Sequence, residues 1–346
     1  MKKTLCLLAV VVLLAPVVWA GGQGESGGEG ATGEEELQIG LVQIDLSHPF
    51  HLGEVEGAKE AARRHGFRLH VTSGEGDVNK QIQAFENLVN QGVDAIAVNF
   101  IDIDAFGPAL QKANDAGIPV VGLHSSNESL VTMVGFDEWY TGRRVGEYAI
   151  SLLQDLEDWS SGVQVANLQG LLGQGLNKAR SGGFVEVMEE YPDNVEVVAM
   201  EPTDWQPEKA VSIMENWLVA YPDLDLVYGN SDGLTVPAAD TAAAAGRDDI
   251  IFVSVDGSDF ALEAVQQGTL ASTFLYAPEY AGYWKAWVPY RAAMGETLPE
   301  EMLIKGTLVT PDNVDAILEL AKDQQENMSE FPFETPLPEI IEQYTD

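Results

Sequence analysis

One cysteine, five histidines and 18 lysines and arginines in 346 residues are small numbers, and each scarcity removes a class of protein. Cys6 alone cannot form an internal disulfide, so a disulfide scaffold is excluded. With histidine and cysteine this sparse, no structural zinc site is expected, and no metal or cofactor is assigned. Asp77-Val78-Asn79 opens like a calcium loop, but Ile82 stands where the turn glycine belongs, so Asp77 is read as a helix cap. No order or spacing gives a Ser-His-Asp or Cys-His constellation, so no catalytic residue is named. Against 55 Asp and Glu the few cations leave a net charge of −37. Phosphate binding needs clustered cations, and nucleic acid is therefore not an expected partner.

What is present begins with an apolar run. Lys2 and Lys3 precede Leu5 to Trp19, and Val18-Trp19-Ala20 supplies a small-residue exit. This is the pattern of a secretory signal covering 1–20, too short for a membrane span and broken by Pro16. Cys6 sits inside the apolar core, too early for lipid attachment. A periplasmic protein that is not a lipoprotein is expected. Residues 21–36, GGQGESGGEGATGEEE, can bury almost nothing and read as a flexible acidic leader. The far end, 322–346, reads as a tail that lies extended on the surface.

Between these ends the length suffices for two domains, and short apolar runs alternate with amphipathic stretches. QIGLVQI (38–44), DAIAVNF (94–100), VQVANL (163–168), DLVYGN (225–230) and IIFVSVD (250–256) have the continuous apolar character of parallel strands buried on both faces. Gly66, Gly92, Gly117, Gly246, Gly268 and Gly295 each close a helical stretch, where glycine takes a left-handed turn without steric cost. Strand, helix and two turns make a βα unit. The rhythm breaks at Thr132–Asp137, where an extra strand is inserted. An α/β fold of two doubly wound parallel-sheet lobes, with a ligand cleft between them, fits better than a single barrel.

Ligands in such sheets sit at the carboxyl ends of the strands, which selects the residues to inspect. His48, Phe50 and His51 follow the first strand, Asn99 the third and His124 the fourth. Arg180 lies on the helix after the Gly170-Gly173-Gly175 loop, and Trp205 follows Asp204. Asn230, Asp256 and Tyr276 close later strands. Carboxylates, amides, an arginine and flat rings are the equipment for a polyol. Each residue also has a plainer use: Asp256 as a turn former, Trp205 as core, Arg180 as a surface cation, and the histidines as loop residues. The glycine loop could cradle phosphate, but its spacing matches no nucleotide motif.

These residues carry a resemblance. His48-Pro49-Phe50, Gln169-Gly170, Arg180-Ser181-Gly182-Gly183-Phe184, Asn230-Ser231-Asp232 and Val255-Asp256-Gly257 occur in the order found in periplasmic sugar-binding proteins of ABC transporters. From Gln38 to about Asp312 the chain resembles that family's ribose-binding and repressor-like cluster. The resemblance implies a three-strand hinge near Asp137, Tyr276 and Lys305. It divides the chain into lobe 1 (37–137 and 277–305) and lobe 2 (138–276 and 306–321). It also implies a monomer that is not an enzyme, captures a sugar or polyol, and delivers it to an ABC permease. Phe50, Asn99, Arg180, Trp205, Asn230, Asp256 and Tyr276 would line the site. His48, His51 and His124-Ser125 depart from the ribose binders, which carry an Asp-Arg clamp at the last position. Ribose itself is therefore expected to bind poorly, and a wall of neutral imidazoles titrating near the ordinary histidine value of about 6.5 replaces an ionised clamp. Two other readings share these features: a secreted α/β enzyme with His124 or Asp256 as base, and a soluble sensor for a chemoreceptor or kinase.

Overall fold

A computed structural model of the chain describes residues 36–47 and 49–345; the expected signal sequence, most of the expected leader and His48 lie outside the described residues. The continuous apolar runs become strands with few exposed positions. They form β1 (Gln38–Gln43), β2 (Arg68–Ser73), β3 (Ala95–Asn99), β4 (Val120–Leu123) and β5 (Thr132–Phe136), with helices α1 (Pro49–His65), α2 (Val78–Gln91) and α3 (Gly107–Asp115) between them. The second half runs α4 (Glu138–Leu153), β6 (Val163–Gln169), α5 (Gly175–Met188), β7 (Val195–Pro202), α6 (Pro207–Ala220), β8 (Leu224–Gly229), α7 (Asp232–Ala244), β9 (Ile251–Val253), α8 (Asp259–Gln267) and β10 (Thr273–Leu275). Then follow α9 (Pro278–Ala293), β11 (Glu301–Ile304), β12 (Thr307–Val309), α10 (Val314–Glu326) and α11 (Leu337–Thr345).

Two sheets result. The first has the order β11-β5-β4-β3-β1-β2, every pair parallel. The second has the order β7-β6-β8-β9, also parallel, and bridges from Val253 and Asp256 continue it to β10, which pairs antiparallel with β12. Each is a doubly wound sheet, and the fold has two lobes. The chain passes between the sheets after β5, after β10 and after β11. The six glycines expected at helix ends all adopt left-handed φ between 70° and 83°. Asp77 caps α2 by accepting from the amides of Asn79 and Lys80 at 2.8 and 3.0 Å.

The C-terminal segment differs from the expected extended tail. Residues 322–326 continue α10, and α11 is a second helix. Leu337, Ile340 and Ile341 are buried at helical spacing, and Phe331 and Phe333 are buried too. Phe333 stacks on Tyr283 of α9 with centroids 4.6 Å apart, and Arg64 of α1 donates to the carbonyls of Met328 and Phe331. The segment's three prolines fit an extended tail, yet the four residues from Leu337 to Ile340 contain a proline only at the helix start, where its missing N–H costs nothing.

Candidate functional site

The site is assembled by two helix pairs, each closed by glycine. In lobe 2, α4 and α5 touch where Gly142 meets the backbone of Arg180 and Gly183 meets the backbone of Trp139; a Cβ at either would collide. This approach puts Glu138, at the start of α4, against Arg180 of α5. Arg180 Nε donates to Glu138 Oε2 at 2.6 Å, and Nη2 to Oε1 at 3.3 Å. Its Nη1 donates to the carbonyl oxygen of Asn230 at 2.7 Å and to Asp256 Oδ1 at 2.8 Å. Burial opposes the guanidinium charge, but Glu138 and Asp256 outweigh it and hold the Arg180 pKa well above its ordinary value. Asp256 keeps part of its carboxylate accessible and accepts from Ser231 Oγ through Oδ2 at 2.7 Å. Asn230 is fully buried; its amide nitrogen donates to Asn177 Oδ1 and Ser181 Oγ at 2.7 and 2.9 Å, while its Oδ1 has no partner among the described residues.

In lobe 1 the same device recurs. Gly57 of α1 meets the backbone of Glu279, and Gly282 of α9 meets the backbone of Glu54. The helices close until Lys285 of α9 pairs with Glu54 of α1, both fully buried. Glu54 also accepts from Gln43 Nε2 at 2.9 Å and lies 3.0 Å from His51 Nδ1. Burial pushes the Glu54 carboxyl up, yet Lys285 and His51 together overcome this and hold it below the usual carboxylate range. Lys285 also lies 2.8 Å from His124 Nε2. Lysine can only donate, so Nε2 accepts and the proton of the neutral ring sits on Nδ1. Asn99 Nδ2 joins the network by donating to Gln43 Oε1 at 3.2 Å.

At His124 this corrects the expectation of a ring that titrates near the ordinary histidine value. Burial, followed by the neighbouring Lys285 charge, holds His124 well below the ordinary histidine value, so it stays neutral across the physiological range. The ions of the wall come from Lys285 and Glu54, on two helices, and not from the strand ends. His51 belongs to their network, whereas His48 falls outside the described residues.

Phe136 and Tyr276 join the two networks. Their rings stack with centroids 3.7 Å apart; Lys285 Nζ lies 5.3 Å from the Phe136 centroid, and Arg180 Cζ 5.5 Å from that of Tyr276. The Tyr276 hydroxyl donates to Glu138 Oε2 at 2.8 Å and lies 2.5 Å from Thr141 Oγ1. Phe50 meets Phe136 edge-on at 6.5 Å. Trp205 is half-buried and donates from its indole to Gln174 Oε1 at 2.7 Å. Its ring rests on Gly170, whose amide donates to Asn177 Oδ1 at 2.6 Å. The glycine of this loop therefore seats a ring and does not cradle phosphate.

Backbone strain marks the same place. Six non-glycine residues among those described have positive φ, and five of them follow strand ends of the cleft: His124 after β4, Asp204 and Trp205 after β7, Asp256 after β9, and Ala277 after β10. Such conformations cost about 1–3 kcal/mol each and concentrate at functional sites. Arg180, Asn230, Asp256 and Tyr276 are thus brought into one network, Phe50, Asn99, His51 and His124 into the facing one, and Trp205 is tied to the first through Gly170 and Asn177. Glu138, Glu54, Lys285, Gln43 and Phe136 are the participants that sequence reasoning missed.

Gly170 offers a test of the Trp205 seat. A methyl group at this position would overlap the indole, so Gly170→Ala is expected to displace the ring and weaken ligand binding tenfold or more, at a cost of about 1–3 kcal/mol for overpacking. Tryptophan emission and a calorimetric titration read the two effects. Unchanged affinity with a shifted emission would remove Trp205 from the site.

Comparison with known proteins accords with this geometry. A model of the periplasmic binding protein domain matches residues 39–297. The chain is 29% identical over 251 residues to the ribose import binding protein of Bacillus subtilis, covering 72% of this chain and 79% of that protein. A solved ABC transporter solute-binding protein from Mycobacterium smegmatis with bound glycerol superposes with a TM-score of 0.75 at 29% identity, over 82% of this chain and 96% of that one. Another, from Bacillus halodurans with bound myo-inositol, gives a TM-score of 0.75 at 28% identity, over 84% and 99%.

Proposed function

Because this chain belongs to the periplasmic binding protein domain family, we propose that it captures a sugar or sugar-like polyol outside the cytoplasmic membrane and delivers it to an ABC permease. The observation that carries the reading is the Arg180 fork. One buried guanidinium holds Asp256 and the Asn230 carbonyl in fixed positions, so a partly accessible carboxylate is presented for hydroxyl pairs without rearrangement. Asn99 adds an amide from the lobe 1 network, and Phe50 and Trp205 supply flat faces for C–H groups. The relatives are named for binding ribose or were solved with glycerol or inositol, which supports a ligand of hydroxyls.

Capture proceeds by closure of the lobes about the three crossings after Phe136, Leu275 and Ile304, with release to the permease from the closed form. The chain acts as a monomer and without turnover. The apolar run ending at Ala20 exports it to the periplasm, cleaved there and not lipidated.

A thermal-shift screen of pentoses, hexoses, furanoses, polyols and nucleosides tests the proposal. A cognate ligand at one hundred times its dissociation constant should stabilise the protein by about 2.7 kcal/mol, and NMR of the mixture should show that ligand unchanged. Ribose is expected to give a smaller shift than the best sugar, because His124-Ser125 stands where ribose binders carry an Asp-Arg clamp. A flat screen, or consumption of the sugar, would contradict the proposal.

A further inference from the structure

A cavity of about 270 Å³ opens from the polar site and runs between the lobes to α10. Phe50, Ser231 and Asp256 line its inner end, and these residues border the sugar site. Leu262, Leu275, Ile317 and Leu320 make its walls apolar. A void of roughly 150 Å³ with such a lining already accepts a benzene ring, so the space exceeds what one aromatic group needs. At the outer end, Gln324 of α10 is 5% exposed, lines the cavity, and carries its amide nitrogen without a hydrogen-bond partner among the described residues. A buried donor left unmade costs about 1–3 kcal/mol, and a ligand acceptor would recover it. The charged side chains that line the cavity are all acidic: Asp232, Asp256, Asp259 and Glu279. An anionic substituent would be repelled.

We infer that the physiological ligand is not a bare monosaccharide but a sugar bearing an uncharged, mainly apolar substituent with a terminal hydrogen-bond acceptor, such as an aryl glycoside. The sugar occupies the Arg180–Asp256 site, the substituent passes Phe50 into the cavity, and its acceptor takes the N–H of Gln324. This rests on the sugar-binding reading of the polar site, and it names what lies beyond that site.

Calorimetry with the methyl, phenyl and 4-acetylphenyl β-glycosides of ribofuranose, galactofuranose and arabinofuranose tests it on the full chain. For at least one sugar, affinity should rise about tenfold or more from methyl to phenyl, and again to 4-acetylphenyl. Ala321→Trp, at a half-buried position on the cavity wall, should erase the phenyl gain and leave the methyl glycoside within twofold of wild type. Gln324→Leu should erase only the acetyl gain. Equal affinities for methyl and phenyl glycosides, or gains that survive both variants, would overturn the inference. Failure of the sugar reading is read separately with 4-fluorobenzyl alcohol, which probes the cavity alone. Its fluorine resonance should broaden with wild type and not with Ala321→Trp, even if every glycoside is silent; a resonance that wild type leaves sharp would overturn the cavity site whatever sugar binds.

Discussion

Lys285→Met should destabilise the protein by about 3–5 kcal/mol, the usual consequence of leaving a buried charge without its counter-ion. Lys285 and Glu54 are both fully buried, and the amide of Gln43 cannot neutralise a carboxylate as an ammonium does. The loss should depend on pH in a defined direction. In the wild type the Glu54 pKa is depressed, so its contribution is present above the ordinary carboxylate range and is lost only as pH falls through the lower folded value. Without Lys285, burial dominates and the folded pKa rises above the unfolded one. The variant should then gain stability relative to wild type as pH drops from 8 towards 5. Glu54→Gln/Lys285→Met should recover most of the loss, because the amide still accepts from Gln43 and no ion remains. Urea denaturation at pH 8 and pH 5 gives all of these numbers. A single variant as stable as wild type at both would show that the pair does not form.

Arg180→Met should lose both stability and binding. The guanidinium is the common partner of Glu138 and Asp256, so its removal leaves two carboxylates near one another in a buried setting, again at about 3–5 kcal/mol. The sequence alone suggests a site-lining residue or a surface cation; the buried fork shows that it is also structural. Adding Glu138→Gln separates the roles. The double variant Arg180→Met/Glu138→Gln should regain most of the stability, since Tyr276 can still donate to the amide oxygen, yet it should bind no sugar because Asp256 is no longer held. Recovery of affinity in the double variant would confine Arg180 to a structural role.

The fold was legible because burial on both sheet faces writes itself as continuous apolar runs, and because helix ends need glycine. The lobe 2 network was legible in part, since Asn230 and Asp256 occur at strand ends and, with Arg180 on its helix, in a familiar order. Glu138 was hidden because an acidic residue in the first turn of a helix ordinarily serves the helix dipole. Glu54 and Lys285 were hidden for a different reason. A glutamate between His51 and Glu56 looks like part of a solvated face, and only the close approach at Gly57 and Gly282 turns it inward. One signal was available: Lys285 is a lone cation in Tyr283-Trp284-Lys285-Ala286-Trp287-Val288, a stretch too apolar to face water. The tail was misread from its prolines, although Leu337, Ile340, Ile341 and Tyr344 follow helical spacing.

The measurement closest to the central claim is calorimetry of the screen's best sugar against wild type and Asp256→Asn. Asparagine keeps the size of the side chain and tolerates the positive φ of 122° better than most residues. Its oxygen can still accept from Arg180 while its amide nitrogen donates to the Ser231 hydroxyl, so the charge is removed and the pairing kept. One sugar should bind per chain and be recovered unchanged, and Asp256→Asn should weaken it by about a hundredfold, near the 1.5–3 kcal/mol of a charge-assisted hydrogen bond, while melting within a few degrees of wild type. Wild-type affinity in Asp256→Asn would contradict the account.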